Sequence, residues 1–265
     1  MKAALILIAC LAAPPAMAEC PTSAGEKTVV AEVMDGATVR LSDGGEMRLA
    51  GIEAPPRPLD LAASAPWSPG ERARAGLARL VQNQTVALVE AGDGPDRYGR
   101  AHAYAFLEDG QSVAEALLGE GLVRARWWPE ENGCFGRFLA AEASARLAGR
   151  GLWALPEFAV QPADDPSLAR RNGLYDLVEG RVVSVGHGQR MIFLDFGADI
   201  RRDFTVMVAP AVADALAAAG RPVDGFSGQR VRVRGVIEES NGPAIRLNDP
   251  AEIELLKDED AGAQR

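Results

Sequence analysis

Three short runs of apolar and β-branched residues, separated by turn sequences, constrain the fold more than any other feature of this chain. The runs are Thr28–Met34, Thr38–Leu41 and Met47–Ile52. Asp35-Gly36 and Asp43-Gly44-Gly45 separate them. Asp-Gly pairs are typical of tight hairpin turns because glycine adopts positive φ angles without strain. The sequence therefore predicts three consecutive antiparallel strands.

Helix-start sequences follow this segment and predict a mixed β and α domain over residues 19–155. Ser68-Pro69-Gly70-Glu71 and Ser112-Val113-Ala114-Glu115 are capping boxes, in which a serine precedes a glutamate by three positions. Each predicts the start of a helix, and the apolar spacing of residues 138–147 predicts a third. Thr85–Glu90 and Ala101–Leu107 add two strands, so we expect five strands and three helices.

The C-terminal part of the chain has the pattern of a second, smaller β domain. Residues 156–172 are rich in proline and charge, which is typical of a linker. Residues 173–256 contain five short apolar runs and one helix, predicted at 210–219, and this pattern favours a small OB-like β-barrel. The five runs are Leu177–Val185, Met191–Phe196, Phe204–Val208, Arg230–Ile237 and Ala244–Leu247. Residues 257–265 form a charged tail.

Three arginines of this second domain alternate along one predicted strand. Arg230, Arg232 and Arg234 share one face because successive side chains of a strand point to opposite sides. That face either binds a ligand or is solvated and paired with acidic residues of the same domain. The acidic candidates are Asp195, Asp199 and Asp203.

The N-terminus predicts export to the periplasm or secretion. Lys2, the apolar run 3–13 and the ending Ala16-Met17-Ala18 have the order of a secretory signal peptide, predicted at residues 1–18. The apolar run is too short to span a membrane. Cleavage leaves Cys20 and Cys134, which either form a disulfide in an oxidising compartment or remain as two buried thiols.

Composition and motif content exclude several function classes. The formal net charge is −9, so any nucleic acid-binding face must be a local basic patch against an acidic average. The sequence has no CxxC, Walker or GxSxG motif, and its two isolated histidines do not form a zinc site. We therefore find no sequence signal for zinc, nucleotide triphosphate or serine hydrolase chemistry.

Four motifs, in order, resemble the staphylococcal-nuclease (thermonuclease) family. They are Val33–Leu41, Met47–Pro56, Asp96–Arg100 and Val113–Leu122. The resemblance implies a five-stranded OB-fold barrel with three helices, which agrees with the order of elements derived above. It also implies hydrolysis of phosphodiesters with the help of calcium. The expected fold class is therefore mainly β with α, with the second OB-like barrel following.

The same resemblance assigns roles to individual residues. By position, Arg48 and Arg100 are similar to the two arginines that clamp the substrate phosphate. A guanidinium suits this role because it holds two phosphate oxygens at once. Tyr98 lies where the family has a tyrosine near the phosphate, and Trp127, with Trp128 beside it, lies where the family has aromatic residues near the base pocket.

The sequence departs from the family at the positions that bind calcium and activate water. Ala37 stands where the family has a carboxylate ligand, and the longer Glu53 replaces a ligating aspartate. Ala54 follows it in place of a threonine, and Pro56 occupies the position of the water-activating glutamate. Calcium requires six to eight oxygen ligands, and proline cannot accept a proton. The family mechanism is therefore not expected to operate unchanged.

Three hypotheses follow. The first is a degenerate nuclease that binds single-stranded nucleic acid, nucleotides or another phosphate-bearing ligand, has no cofactor and cleaves little. The second is an active phosphodiesterase, with Ca²⁺ or another divalent cation held by Glu53 and Asp60. The third is a structural or protein-binding pair of barrels, in which Arg48 and Arg100 form only internal salt bridges.

Overall fold

The computed structural model describes residues 20–21, 25–56, 68–92, 94–128 and 133–257. The predicted signal peptide, Asp60 and all but the first residue of the predicted tail lie outside these ranges. Among the helices of the described ranges, none has the length and apolar character needed to cross a bilayer.

Five strands of the N-terminal half form a closed barrel in the order β1-β2-β3-β6-β5. Their bounds are β1 Glu26–Val33, β2 Thr38–Leu41, β3 Glu46–Leu49, β5 Thr85–Glu90 and β6 Ala101–Phe106. β3 and β6 pair in parallel, and the other neighbours pair antiparallel. The three predicted N-terminal strands are present, and the first turn between them forms because Asp35 accepts backbone hydrogen bonds from Ala37 and Thr38, both at 2.8 Å. The predicted fold class is confirmed.

One predicted strand is interrupted at Gly51. The run Met47–Ile52 divides into β3 and β4 (Ile52–Glu53), and β4 pairs with β7 (Arg124–Ala125) instead of continuing the barrel. Gly51 has φ +74°, and a Cβ atom there would lie 2.6 Å from the ring of Phe138. This turn therefore requires glycine, and it directs Glu53 away from the barrel sheet.

Three helices pack around the barrel, as predicted. They are α1 Pro69–Val81, α2 Val113–Gly119 and α3 Phe135–Leu147. Ser68 and Ser112 cap the first two, each accepting a hydrogen bond at 3.3 Å from the backbone N–H three residues on. α3 begins three residues before the predicted start, because Cys134 at its N-cap makes no side-chain cap bond and leaves no sequence signal. Cys134 instead forms a disulfide with Cys20.

The C-terminal half forms a second sheet with barrel-like strand order. Its elements are β8 Gln161–Pro162, β9 Tyr175–Arg181, β10 Ser184–His187, β11 Ile192–Asp195, β12 Thr205–Val208, α4 Pro210–Ala218, β13 Arg230–Glu239, β14 Pro243–Leu247 and β15 Ile253–Leu256. The order is β10-β11-β12-β14-β13-β9-β8, and β12 and β14 pair in parallel. Two residues separate β9 from β10. If β9 and β10 are taken as one bent first strand, the strand order of the second sheet is the same as that of the first barrel. The helix also has the same place, because α4 lies between the third and fourth strands of the second sheet, as α1 does in the barrel.

Buried ion pairs join the barrel to the second sheet. Arg234 of β13, 1% exposed at its side chain, lies 2.8 Å from Glu142 of α3, which is 0% exposed. Arg124 of β7 contacts Asp176 of β9 at 3.1 Å and donates a hydrogen bond to the Tyr175 carbonyl at 2.6 Å. Both the barrel and the second sheet thus contribute buried charged side chains to the interface between them.

These contacts correct both sequence interpretations of the arginines on β13. Arg232 and Arg234 are buried, so they form neither a ligand-binding face nor a solvated one. Their acidic partners are not the three predicted aspartates but Glu142, Glu179 and Glu254. Arg230 likewise pairs with Glu179, at 2.5 Å. Neighbouring members of the three share a carboxylate partner, as expected for one strand face, but Arg234 also meets Glu142 of α3, which no pattern in the strand itself indicates.

Glu252 closes the second sheet at the turn before β15. Its Oε2 atom accepts hydrogen bonds from the backbone N–H of Asn248 at 2.7 Å and of Asp249 at 3.3 Å. Burial raises the pKa of Glu252 to about 7, although these hydrogen bonds act to lower it. Part of the population is therefore protonated at neutral pH.

We expect Glu142→Ala to lower the free energy of unfolding by about 3–5 kcal/mol, because it leaves Arg234 buried without its closest carboxylate. Urea denaturation followed by circular dichroism measures this loss. Glu120→Ala is the matched control, since Glu120 pairs with Arg79 at 2.6 Å on the surface, and exposed pairs contribute about 1 kcal/mol or less. Equal losses in the two variants would contradict the structural role of the buried pair.

We expect Glu252→Gln to change how stability depends on pH. Because the folded-state pKa of Glu252 is raised, its contribution is complete at low pH and is lost as pH rises towards 7. The shift corresponds to a loss of roughly 3 kcal/mol between pH 4 and pH 8. Urea melts at both pH values should show a smaller loss in the variant than in the wild type. Glu239→Gln, at an exposed position of β13, is the control and should keep the wild-type difference.

Candidate phosphate-binding cleft

The two arginines predicted to clamp phosphate belong to neighbouring segments of the barrel. Arg48 of β3 is opposite His102 of β6 in the parallel pair. Arg100 lies directly before β6, two positions from His102. The register therefore places the backbone of Arg100 near that of Arg48, although the two residues are 52 positions apart in the sequence.

Arg100 is held by Asp96 of the same turn. Its Nε donates a hydrogen bond to Asp96 Oδ2 at 2.8 Å, and Asp96 Oδ1 accepts from the backbone N–H groups of Tyr98 and Arg100 at 2.8 and 3.0 Å. Burial alone would raise the pKa of Asp96, but these hydrogen bonds outweigh it and hold the pKa well below its usual range. Asp96 is therefore an ionised turn-former that orients Arg100.

Glu53 lies between two arginines. The same oxygen, Oε2, contacts Arg48 at 3.1 Å and Arg126 at 2.8 Å. Glu53 and Arg126 are 73 positions apart in the sequence. They meet because Glu53 belongs to β4, which pairs with β7, the strand directly before Arg126. The carboxylate at a predicted metal position is thus already neutralised by two guanidinium groups.

The residues around this point do not fit a calcium site. Ala37 is fully buried and has no oxygen ligand in its side chain, and Pro56 is exposed and has no acid or base. Within the ranges that the structure describes, no group of three or more His, Cys, Asp or Glu side chains could hold a metal ion. Asp35 also lines the cleft, but its Oδ1 already accepts two backbone hydrogen bonds, and calcium requires six to eight oxygen ligands. Asp60, the other predicted ligand, lies outside the described residues.

The predicted substrate-binding aromatic residues differ in exposure. Tyr98 is 67% exposed, and the guanidinium carbons of Arg97 and Arg100 lie 4.8 and 5.1 Å from its ring centre. Trp127 is half-buried and packs against the barrel core. Trp128 is also half-buried, and the Arg126 guanidinium stacks over it at 4.1 Å.

A cleft of about 780 Å³ lies where the barrel meets the second sheet. Arg48, Glu53 and Pro56 line it from the barrel side, and Arg171 and Tyr175 line it from the other side. Arg100, Tyr98 and Trp127 do not line this cleft. The structure therefore places Arg48 with Glu53 in the cleft, and Arg100 with Tyr98 outside it.

Sequence reasoning missed the role of Arg126. Arg126 directly precedes Trp127 and Trp128 in the sequence, and its side chain is the second partner of Glu53. The contribution of Tyr175 to the cleft wall was also missed. A basic residue beside the tryptophans was the only available signal for Arg126, and none existed for Tyr175, because its position depends on docking of the second sheet.

Comparison with known proteins agrees with the geometry of the barrel. Residues 46–155 match the family model described as "Staphylococcal nuclease homologue". A thermonuclease of Staphylococcus intermedius is 31% identical over 112 residues, which are 41% of this chain and 64% of that protein. The chain thus spans slightly less than two thirds of the length of this curated relative. Residues 46–155 form a staphylococcal nuclease-like domain within a longer chain.

Proposed function

We propose that this protein is exported and that its thermonuclease-like domain binds single-stranded nucleic acid or nucleotides through their phosphates, with little or no calcium-dependent cleavage. The predicted signal peptide supports export. The observation that carries the binding proposal is that Arg48 lines an open cleft and shares one oxygen of Glu53, also in the cleft wall, with Arg126 behind it. The two guanidinium groups carry one positive charge more than Glu53 balances, and this excess favours a phosphate group.

Arg48 has hydrogen-bonding capacity left for a ligand. In the described part of the chain it donates one hydrogen bond, to Glu53, although a guanidinium has five N–H donors. Arg100 and Tyr98 extend the cationic surface beyond the cleft, and an exposed tyrosine offers a face on which a base can stack. These features favour a ligand that combines phosphate with an aromatic ring.

The same geometry argues against efficient cleavage. A carboxylate held by two arginines is a weak metal ligand, because a cation must displace both partners. Pro56 cannot activate water, and general-base catalysis is typically worth about 10²- to 10⁴-fold in rate. These residues are the reason we propose binding without the calcium-dependent reaction that the family resemblance implies.

Two other functions each have one supporting observation. The similarity to a thermonuclease favours an active phosphodiesterase with altered ligands such as Glu53 and Asp60. The ion pairs of Arg48 with Glu53 and of Arg100 with Asp96 favour a structural or protein-binding role. We rank both lower, since the first lacks a base at Pro56 and the second does not explain an open cleft.

The test combines cleavage and binding of a labelled single-stranded DNA by the mature protein. Cleavage is measured with Ca²⁺, Mg²⁺, Mn²⁺ or EDTA, and binding is measured by fluorescence anisotropy over a series of salt concentrations. We expect binding without metal-dependent cleavage. In Arg48→Ala/Arg100→Ala we expect at least tenfold weaker binding, and a salt slope that falls by about 0.7 for each lost phosphate contact.

Arg40→Ala is the matched control, because Arg40 lies on neighbouring β2, pairs with Glu46 at 3.2 Å and does not line the cleft. It should change binding by less than twofold. Metal-dependent cleavage that disappears in the double variant would establish the active phosphodiesterase instead. Absence of binding by the wild type would favour the structural role.

A further inference from the structure

The carboxylate of Glu53 is an anion that Arg48 already holds. Its Oε2 atom accepts a hydrogen bond from Arg48 at 3.1 Å, and both residues line the cleft. The side chain of Arg48 is 17% exposed and that of Glu53 is 29% exposed, so water screens their attraction only in part. A phosphate that binds Arg48 would lie beside this carboxylate, and two anions next to one guanidinium repel each other.

Arg126 gives the same carboxylate a second partner outside the cleft wall. Its Nη1 atom donates to Glu53 Oε2 at 2.8 Å, a shorter distance than the one from Arg48. Arg126 does not line the cleft, and its guanidinium packs against the rings of Trp128 at 4.1 Å and Tyr175 at 5.2 Å. These cation–π contacts hold Arg126 in place beside Glu53. The carboxylate can therefore give up Arg48 and remain paired.

The other carboxylates of the described cleft wall are engaged elsewhere or face solvent. Asp35 Oδ1 accepts two backbone hydrogen bonds within its own turn. Asp176 is buried and pairs with two other arginines, at 3.1 and 2.8 Å. Glu157 is exposed. Among the described carboxylates of the cleft, Glu53 is thus the one in contact with Arg48.

We propose that Glu53 is an internal competitor for the phosphate site: it pairs with Arg48 until a phosphate takes its place there, and it then stays with Arg126. Arg126 is a positioning residue in this exchange, because it acts on the ligand through Glu53 and not by contact. A phosphate can bond Arg48 through two oxygens, whereas one oxygen of Glu53 contacts it, so the exchange favours phosphate groups over simple monoanions such as chloride. This proposal rests on the proposed function of the cleft as a phosphate site.

Glu53→Gln tests the competition directly, because glutamine keeps the size of the side chain and removes its charge. Binding of a fluorescein-labelled 12-nucleotide oligothymidylate is measured by fluorescence anisotropy in EDTA, so that no divalent cation contributes. We expect the affinity to rise about tenfold above that of the wild type, since the phosphate no longer competes with a carboxylate for Arg48. A glutamate with a purely structural role would predict unchanged or weaker binding in this variant.

Glu115→Gln is the matched control. Glu115 of α2 pairs with Arg137 at 2.6 Å, its side chain is 25% exposed, and it does not line the cleft. The substitution changes the net charge by the same amount as Glu53→Gln, at a site of similar exposure. We expect its affinity for the probe to stay within about twofold of the wild type. A rise as large as that of Glu53→Gln would overturn the proposal, because net charge would then govern binding.

Arg126→Gln, alone and combined with Glu53→Gln, tests the exchange. In the single variant Glu53 keeps Arg48 as its described partner, so it competes more strongly and the affinity should fall about tenfold. In the double variant the competing charge is absent, so the affinity should lie within about threefold of that of Glu53→Gln. Equal losses in the two backgrounds would show that Arg126 contacts the ligand itself, and would overturn the exchange.

The outcomes separate this proposal from the phosphate site. Unchanged or weaker binding by Glu53→Gln, together with weaker binding by Arg48→Ala/Arg100→Ala, would overturn the competition and leave the phosphate site standing. Failure of both the wild type and Glu53→Gln to bind the probe would overturn both proposals. Circular dichroism checks that each variant is folded, and if Arg126→Gln is not, the comparison of Glu53→Gln with Glu115→Gln decides alone.

Discussion

The position of the cleft depends on one buried carboxylate, that of Glu142. It accepts a hydrogen bond at 2.9 Å from the Ala125 N–H of β7 and contacts Arg234 of β13 at 2.8 Å. One side chain of α3 therefore holds the β4–β7 ribbon and the second sheet at the same point. A fully buried carboxylate is stable only when its partners stay in place, because desolvation of the charge is expensive. This requirement gives the two halves of the chain a defined relative position.

That position creates the cleft. The β4–β7 ribbon carries Glu53 at one end and continues into Arg126 and the two tryptophans. The second sheet brings Tyr175 against this ribbon, where its hydroxyl donates a hydrogen bond to the Ala125 carbonyl at 2.9 Å. The cleft is consequently a space between two packed units. Ligand sites occur preferentially at such boundaries, and the family-model match at residues 46–155 covers only one side of this one.

The charges beside the cleft favour an anion over a cation. Ala37 supplies no carboxylate, and Arg126 places a second guanidinium beside Glu53. Both features make the point less attractive to a cation and more attractive to an anion. Asp96 balances Arg100 in the same way. Cationic groups that suit a phosphate are present. In contrast, Ala37 supplies no metal ligand and Pro56 supplies no base for an attacking water.

The sequence by itself determined the barrel, its three helices and the positions of Arg48, Arg100 and Glu53, because hairpin turns, capping boxes and motif order are local signals. It also indicated the strand period of Arg230, Arg232 and Arg234. Only the tertiary structure decided what those arginines face, which oxygen Arg48 and Arg126 share, and that Cys20 pairs with Cys134. Each of these contacts joins residues far apart in the chain. Such contacts are set by how whole sheets pack and neutralise buried charge, and no local pattern records that.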